Sequence, residues 1–193
     1  MTESAITRTG SRRAAIITAA QRLAVDCGYS GFTVEDLARA VGVSRRTLFN
    51  HVSSKEEAVL GMLPVLTDEQ AATLRSGGPT GHLADDVLTV VLDCLHADDG
   101  TPADFQQLHD VIERNPELFV RVKTHVEELS EQLVTHLSAR DDADDSRSRM
   151  ALAIVGGIVQ HSVVQCATPS LGPLSDRARA NLTTAREILA DPA

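Results

Sequence analysis

Apolar residues recur at helical spacing from near the start of the chain. Ile16, Ala20, Leu23 and Cys27 stand at positions i, i+4, i+7 and i+11, which places them on one face of a helix. The pattern predicts a first helix over residues 12–27. The polar segment before it, residues 1–10, is expected to lie outside the helix.

Helix-capping residues predict two short helices next. Thr33 can cap the first of them, with Asp36 three residues later as an imperfect capping box, and Gly42 ends it. Ser44 can cap the second, which is predicted to run over about residues 45–51.

A complete S-x-x-E capping box, Ser54 with Glu57, predicts a fourth helix over about residues 55–75. A Gly- and Pro-rich break follows at residues 76–81. Apolar periodicity then predicts helices at about residues 83–97, 103–114, 116–139, 146–167 and 176–190. No segment alternates with the period of a strand, so the sequence predicts an all-α protein of about nine helices.

The segment from Thr33 to Lys55 has the spacing of a helix-turn-helix. Ala38 offers a small side chain where two helices would cross, and Gly42 can take the positive φ of a tight inter-helix turn. A small shared core is predicted from Leu37, Val41, Val43 and Leu48. The outer side of the next helix would then carry Arg45, Arg46, Thr47 and Asn50. Arginine and asparagine can hydrogen-bond to base edges in a major groove.

The wider run resembles the DNA-binding domain of the TetR family. A helix of about sixteen residues is followed by Gly-Tyr-x-x-Phe-Thr-Val-x-x-Leu-Ala and then by Gly-Val-Ser-x-x-Thr-Leu-Phe-x-His-Val-x-Ser-Lys-Glu-Glu, without gaps over about residues 12–60. The resemblance implies a helix-turn-helix domain over residues 1–54, with its recognition helix at about 45–51. It also implies a helical ligand-binding and dimerisation domain over residues 55–193, where the likeness is one of length and architecture only.

Carried over by position, the resemblance implies a set of DNA contacts. The residues are Thr33, Arg45, Arg46, Thr47, Phe49, Asn50, His51 and Lys55. Thr33 and Lys55 stand at helix N-termini, which suit phosphates. Phe49 and His51 would lie against the sugar-phosphate backbone. Many family members have Tyr at the position of Phe49, so a hydroxyl contact is absent here.

The charge of the chain is unevenly distributed. The net charge is −9, but residues 1–60 carry eight Arg and Lys against six Asp and Glu. The local electrostatic field governs phosphate binding, so a basic N-terminal segment followed by an acidic remainder of the chain is compatible with a DNA partner. An excess of this size also occurs by ordinary scatter. For Arg8, Arg12 and Arg13, a solvated terminus and a DNA contact both stay open.

Two late helices carry apolar rows that suit a dimer interface. The candidate residues are Ile154, Val155, Gly157, Ile158 and Ser162, with Leu182, Ala185 and Leu189. The pair Gly156-Gly157 would weaken an isolated helix, which a close helix crossing would offset. In the family, the last two helices commonly pair with their symmetry mates. The same rows could instead serve the core of one chain.

The resemblance also implies a pocket for a small, largely apolar effector. Its candidate residues are His96, Phe105, His109, Phe119 and His161, each of which could equally pack internally or lie at the surface. A homodimer would bind a near-palindromic operator in double-stranded DNA. Effector binding would favour a state whose recognition helices are wrongly spaced, and operator affinity would fall.

Other classes of function find little support. The chain has no HExxH, no Gly-rich phosphate loop and no G-x-S-x-G, so no catalytic residue, metal or cofactor is expected. A small helical enzyme and a helix-turn-helix used only for protein contacts stay as alternatives. The outward Arg45 and Arg46 speak against the second, and salt-sensitive DNA binding would exclude it.

Cysteine use and hydropathy indicate a compartment. Cys27, Cys94 and Cys166 are far apart and odd in number, which predicts buried free thiols in a reducing cytosol. No segment approaches the roughly 20 apolar residues of a membrane span. We therefore expect a cytoplasmic protein without a membrane partner.

Overall fold

Helices make up all the regular structure in the computed structural model, which describes residues 3–61, 63–95, 101–165 and 172–190, with side chains from residue 12 onwards except that of residue 102. These residues form ten α-helices. They are α1 Glu3–Cys27, α2 Val34–Ala40, α3 Arg45–Phe49, α4 Lys55–Leu60, α5 Asp68–Arg75, α6 Leu83–Cys94, α7 Pro102–Arg114, α8 Pro116–Leu137, α9 Asp145–Val164 and α10 Leu174–Ala190. A 3-10 turn lies at Tyr29–Gly31. The all-α prediction is confirmed.

The helix predicted over residues 55–75 is two helices, which is why ten replace about nine. Gly61 ends α4 with a φ of 74°, a conformation that favours glycine. Thr67 then starts α5 through a reciprocal capping box with Gln70. Both signals are present in the sequence, but the prediction of one helix over residues 55–75 did not use them.

The N-terminal helix ends at Cys27 as predicted but begins earlier than predicted. It begins at Glu3 rather than near residue 12, because the single Gly10 costs a helix only about 1 kcal/mol and does not stop it. Its buried stripe is Ile16, Ala20 and Ala24. The prediction of a buried thiol is wrong for Cys27, which is exposed at the last position of α1.

The other two cysteines have different outcomes. The prediction is confirmed for Cys94, whose thiol is free and buried. Burial raises the pKa of that thiol to about 11. Cys166 lies outside the described residues. Among the helices of the described ranges, none has the length and hydropathy that crossing a membrane requires.

One compact unit of the chain consists of residues 1–63 and 107–122. Its core contains Ile16, Ala20, Ala24, Phe32, Leu37, Leu48, Val59, Val111 and Leu118. The last two come from the end of α7 and the start of α8, far along the chain from the others. The core around α1–α4 is therefore completed by residues 107–122. The predicted functional division after residue 54 stays a prediction.

Asn115, between α7 and α8, fastens this returning segment to the unit. The side chain is buried, and its Oδ1 accepts a hydrogen bond of 2.6 Å from the Tyr29 N–H. Its Nδ2 donates to the carbonyls of Ala24, at 3.3 Å, and Val111, at 2.7 Å. One buried amide thus connects the C-terminal end of α1, the 3-10 turn and the end of α7.

The second unit consists of residues 64–106 and 123–193. Its apolar core includes Leu74, Val87, Leu88, Leu133, Leu137, Val155, Leu174 and Leu182. A buried ion pair joins Arg140 to Asp86 at 2.9 Å, with both side chains at most 2% exposed. The second oxygen of Asp86 accepts hydrogen bonds from the Thr80 N–H and hydroxyl. These bonds satisfy a charge pair that would be costly to bury alone.

The contacts of Asn115 lead to a stability prediction. We expect Asn115→Ala to lower the free energy of unfolding of the first unit by about 1–3 kcal/mol, because the Tyr29 N–H loses its acceptor. Tyr29 is the chain's one tyrosine and there is no tryptophan. Tyrosine fluorescence in a urea titration therefore reports on this unit. The exposed Asn50→Ala is the control, expected to change stability by less than about 0.5 kcal/mol. Equal effects of both substitutions would contradict the role of Asn115.

Candidate nucleic-acid interface

The helix-turn-helix is formed by α2 and α3. Gly42 has a φ of 68° in the turn between them, as predicted. The Val43 N–H donates to the Ala38 carbonyl at 2.9 Å and closes the turn. Leu37 and Leu48 are fully buried on the facing sides of the two helices. The predicted shared core is confirmed, with Val41 and Val43 packed partly buried against it.

Side chains cap both helices. The Thr33 hydroxyl accepts from the Asp36 N–H at 3.1 Å, and Asp36 accepts from the Thr33 N–H at 3.0 Å, so the capping box is complete. The Asp36 carboxylate also accepts a hydrogen bond of 2.6 Å from the Thr33 hydroxyl, and this bond, with those from the Thr33 N–H and Arg39, lowers the pKa of Asp36 to about 2. The Ser44 hydroxyl accepts from the Thr47 N–H at 3.1 Å and starts α3.

The outer side of α3 carries the polar residues predicted for it. Arg45, Arg46 and Asn50 are exposed, and Thr47 is half-buried. Arg46 makes no ion pair with any described residue. The helix ends at Phe49, two residues before the predicted end, and Asn50 follows in a helical conformation as its C-cap. An exposed arginine pair and an asparagine thus project from a short, capped helix.

Arg45 is held by two neighbours. Its Nη1 lies 2.7 Å from Oε1 of Glu35, near the start of α2. Its guanidinium carbon lies 5.5 Å from the centre of the Phe49 ring, one turn along α3. The ring that replaces the family's common tyrosine therefore contacts Arg45. Sequence reasoning missed Glu35, since nothing local links positions 35 and 45.

The C-terminal end of α3 is tied to α1. Arg13 donates from Nε to the His51 carbonyl at 3.2 Å and from Nη2 to Oε1 of Glu57 at 2.6 Å. The other oxygen of Glu57 accepts from the Ser53 N–H at 2.6 Å. Burial opposes the charge of Glu57, but the bonds from Ser53 and Arg13 outweigh it and lower the pKa of this carboxyl.

These contacts correct the prediction of a full capping box at the start of α4, and they bear on the two interpretations left open for Arg13. The expected capping box of α4 is half formed: the Ser54 hydroxyl accepts from the Glu57 N–H at 3.0 Å, but the Glu57 carboxylate turns to Ser53 and Arg13. Arg13 is not simply solvated, because its guanidinium donates hydrogen bonds to the His51 carbonyl and to Glu57. His51 is half-buried, and its Nδ1 is buried without a hydrogen-bond partner among the described residues.

Lys55 lies in a cage made by the 3-10 turn and the residue that follows it. Its ammonium donates to the carbonyls of Tyr29 and Phe32, the latter at 2.5 Å. It also lies 4.4 Å from the Tyr29 ring centre and 4.1 Å from that of Phe32. Burial lowers the pKa of the Lys55 ammonium. The phosphate contact stays a prediction, and the ammonium would have to leave both carbonyls to make it.

Two further bonds join the start of α8 to this unit. Arg121 forms an ion pair with Glu56, in the first turn of α4. The Ser30 hydroxyl donates to Glu117 at 2.8 Å. Together with Asn115, these residues position the 3-10 turn and α4 beside the helix-turn-helix. The only sequence signal was the boundary between the helices predicted at 103–114 and 116–139, which predicted no contact with this unit.

The candidate effector residues do not come together within either unit. Phe105 packs half-buried against the core of the second unit, where His161 is exposed and contacts Gln165 at 3.1 Å. In the first unit, His109 pairs with Glu113 at 3.2 Å, and Phe119 is 54% exposed. His96 lies outside the described residues. The effector site therefore stays a prediction.

The candidate dimer residues divide into buried and exposed groups within the second unit. Val155, Ile158, Ser162 and Leu182 are buried in the core of the chain itself, Ile154 and Ala185 are half-buried, and Gly157 and Leu189 are exposed. The space where a Cβ of Gly156 or Gly157 would stand is open, so no close crossing occurs there within one chain. The dimer surface stays a prediction.

A capped helix-turn-helix with an exposed arginine pair has the geometry of a DNA-binding motif. The sequence model for bacterial regulatory proteins of the tetR family matches residues 16–60. The helix-turn-helix-type transcriptional regulator TcmR of Streptomyces glaucescens is 29% identical over 186 residues, which is 85% of this chain and 78% of TcmR.

A solved structure shows the same fold along nearly the whole chain. NalD, the secondary repressor of the MexAB-OprM multidrug efflux pump in Pseudomonas aeruginosa, superposes with a TM-score of 0.53 at 22% identity, covering 94% of this chain and 96% of NalD. The chain is thus similar to the TetR family in its sequence over residues 16–60 and to TcmR over a longer stretch. These likenesses support a DNA-binding transcriptional regulator.

The cage around Lys55 can be tested by removing its charge. We expect Lys55→Met, which keeps the unbranched stem, to destabilise the first unit by about 1–3 kcal/mol, because two carbonyls lose their donor. Urea unfolding followed by Tyr29 fluorescence measures this. Lys123→Met is the matched control, since Lys123 is 62% exposed and only loosely paired. Unchanged stability, with a shallower salt dependence of DNA binding, would instead assign the ammonium to a phosphate.

The capping box predicts a pH dependence. Because the pKa of Asp36 is lowered from 3.8 to about 2, its ionised form stabilises the fold above pH 3.8, and this contribution is lost as the pH falls towards 2. We expect the melting-temperature difference between the native protein and Asp36→Asn to be constant above about pH 5 and to shrink towards pH 2. Effects of the other acids cancel in the difference. A difference that stays constant down to pH 2 would contradict the lowered pKa.

Proposed function

We propose that the protein is a ligand-responsive repressor that binds a near-palindromic operator as a dimer and is released by a small, largely apolar effector. The observation that carries the proposal is the pair of exposed arginines at the start of α3, on a helix whose two ends are held by Ser44 and Arg13. A rigid helix of this kind presents guanidinium groups to base edges at little conformational cost.

The proposed contacts follow from position and exposure. Arg45, Arg46, Thr47 and Asn50 face bases or nearby phosphates. Phe49, 39% exposed, and His51 lie against the sugar-phosphate backbone, and Thr33 binds a phosphate at the start of α2. We assign Lys55 to the support of the helix-turn-helix, because its ammonium already has two carbonyl acceptors.

A dimer is supported by apolar surface on α9 and α10. Met150, Val164, Ile188 and Leu189 are 52–75% exposed, and Gly156 and Gly157 leave open space between the first two. Large exposed apolar side chains on two neighbouring helices favour burial against a second copy. Of the residues predicted for this interface, we retain Gly157 and Leu189, with Ile154 and Ala185 at its edge.

The effector part of the proposal rests on the family. An effector that binds better to one spacing of the two recognition helices shifts the population towards that state and lowers operator affinity by the same coupling energy. A bound compound that leaves operator affinity unchanged at every concentration would contradict an effector role for it.

The proposal is tested with DNA selected by the protein from a random duplex pool. We expect a selected, near-palindromic duplex to bind with affinity that falls steeply with salt, and Arg45→Ala/Arg46→Ala to reduce that affinity by at least about tenfold. Sedimentation of the complex should give two chains or a multiple per operator. Lys123→Met serves as a matched loss of one exposed positive charge away from α3.

Two outcomes would overturn the proposal. Failure to select any duplex would exclude operator binding. Selection of a duplex whose affinity is unaffected by the double substitution would remove α3 from the interface. Salt-insensitive binding to another protein, in place of DNA, would favour the alternative of a helix-turn-helix used for protein contacts.

A further inference from the structure

Glu35 is an acidic side chain on the surface that the proposed function turns towards DNA. It is the second residue of α2 and is 53% exposed. An acid in the first turn favours the helix, because it complements the positive end of the helix dipole. The same charge opposes the approach of phosphates. Glu35 alone is therefore expected to lower DNA affinity. Its contact with a partner residue indicates what it contributes in return.

That partner is Arg45, the first residue of α3. The two side chains form an ion pair of 2.7 Å through a single guanidinium nitrogen, while the Arg45 side chain stays 64% exposed. The Phe49 ring supports the guanidinium from another side at 5.5 Å. Arg46, the next residue, has neither an ion pair nor a ring contact among the described residues. The two neighbouring arginines thus differ in the contacts that restrain them.

The ion pair with Glu35 affects two kinds of DNA contact by Arg45 differently: a contact with a guanine edge and a contact with a phosphate. A guanidinium carries five N–H donors, so one edge can bind guanine O6 and N7 while another nitrogen keeps its contact with a carboxylate. A phosphate of unrelated DNA need not lie in the direction in which Glu35 holds the Arg45 guanidinium. To reach it, Arg45 must leave Glu35 or bring the Glu35 charge close to the phosphate, and both cost free energy.

We propose that Glu35 is a specificity-determining residue, which holds Arg45 in the direction of a guanine edge and withholds its charge from phosphates of unrelated DNA. The proposal rests on the proposed function, because it requires α3 to face base pairs. Glu35 acts through Arg45 and need not touch a base itself. Its contribution is to the ratio of operator affinity to random-DNA affinity rather than to operator affinity alone.

The test is a set of variants in the full-length protein. Affinities for the selected operator and for a scrambled duplex of equal composition are measured at several salt concentrations for the native protein and Glu35→Gln. We expect Glu35→Gln to raise affinity for the scrambled duplex and to lower the specificity ratio by roughly two- to fivefold, the range of an exposed ion pair. The salt dependence on scrambled DNA should steepen by up to about one phosphate contact.

Glu35→Gln is also made in variants that lack Arg45 or Arg46. These variants distinguish an effect that acts through Arg45 from the simple loss of a negative charge. In Arg45→Ala, the Glu35→Gln change should leave the specificity ratio unaltered, because the residue it acts through is absent. In Arg46→Ala, the matched control, the change in ratio should persist. Thermal unfolding of each variant confirms that it is folded.

Two results would overturn the role of Glu35 while leaving the proposed function intact. If Glu35→Gln raises both affinities equally, the carboxylate acts only as a repulsive charge. If its effect on the ratio is the same in Arg45→Ala as in the native background, it does not act through Arg45. Failure of the native protein to select any duplex would instead overturn the proposed function itself.

Discussion

Burial of Leu48 is the contact on which the DNA-facing part of the molecule depends. The helix that carries it, α3, has five residues and is far too short to be stable alone. Leu48 is fully buried in the core of the first unit and fixes which side of α3 faces outward. The Ser44 cap and the bond from Arg13 to the His51 carbonyl then hold the two ends. The exposed arginines are therefore presented by a scaffold rather than by the helix itself.

That scaffold extends beyond the N-terminal helices. Residues 107–122 return to the first unit, where Val111 and Leu118 complete its core and Asn115 satisfies the backbone at the end of α1. Because α7 and α8 each contribute residues to both units, the polypeptide that completes the DNA-binding unit is continuous with the body proposed to bind an effector.

Local signals made the helix-turn-helix predictable, and long-range contacts set the limit of prediction. Gly42, Leu37 and the Thr33 cap act within a few residues of one another, so their spacing carries the structure. The break between α4 and α5 also had local signals, at Gly61 and Thr67, which the prediction of a single helix did not use. By contrast, the bonds from Asn115 to Tyr29 and from Arg45 to Glu35 join residues 86 and 10 positions apart. No periodicity in the sequence encodes such pairs. The contacts that position the helix-turn-helix were therefore visible only in the structure.

Dimethyl sulfate footprinting of the selected operator shows directly whether α3 enters the major groove. The reagent methylates guanine N7 in the major groove and adenine N3 in the minor groove, so one experiment reports on both grooves. If each α3 of a dimer lies in the major groove, we expect protection of guanine N7 in two clusters about one helical turn, or a multiple of it, apart. Protection confined to adenine N3, or no protection of guanine in a bound complex, would contradict it.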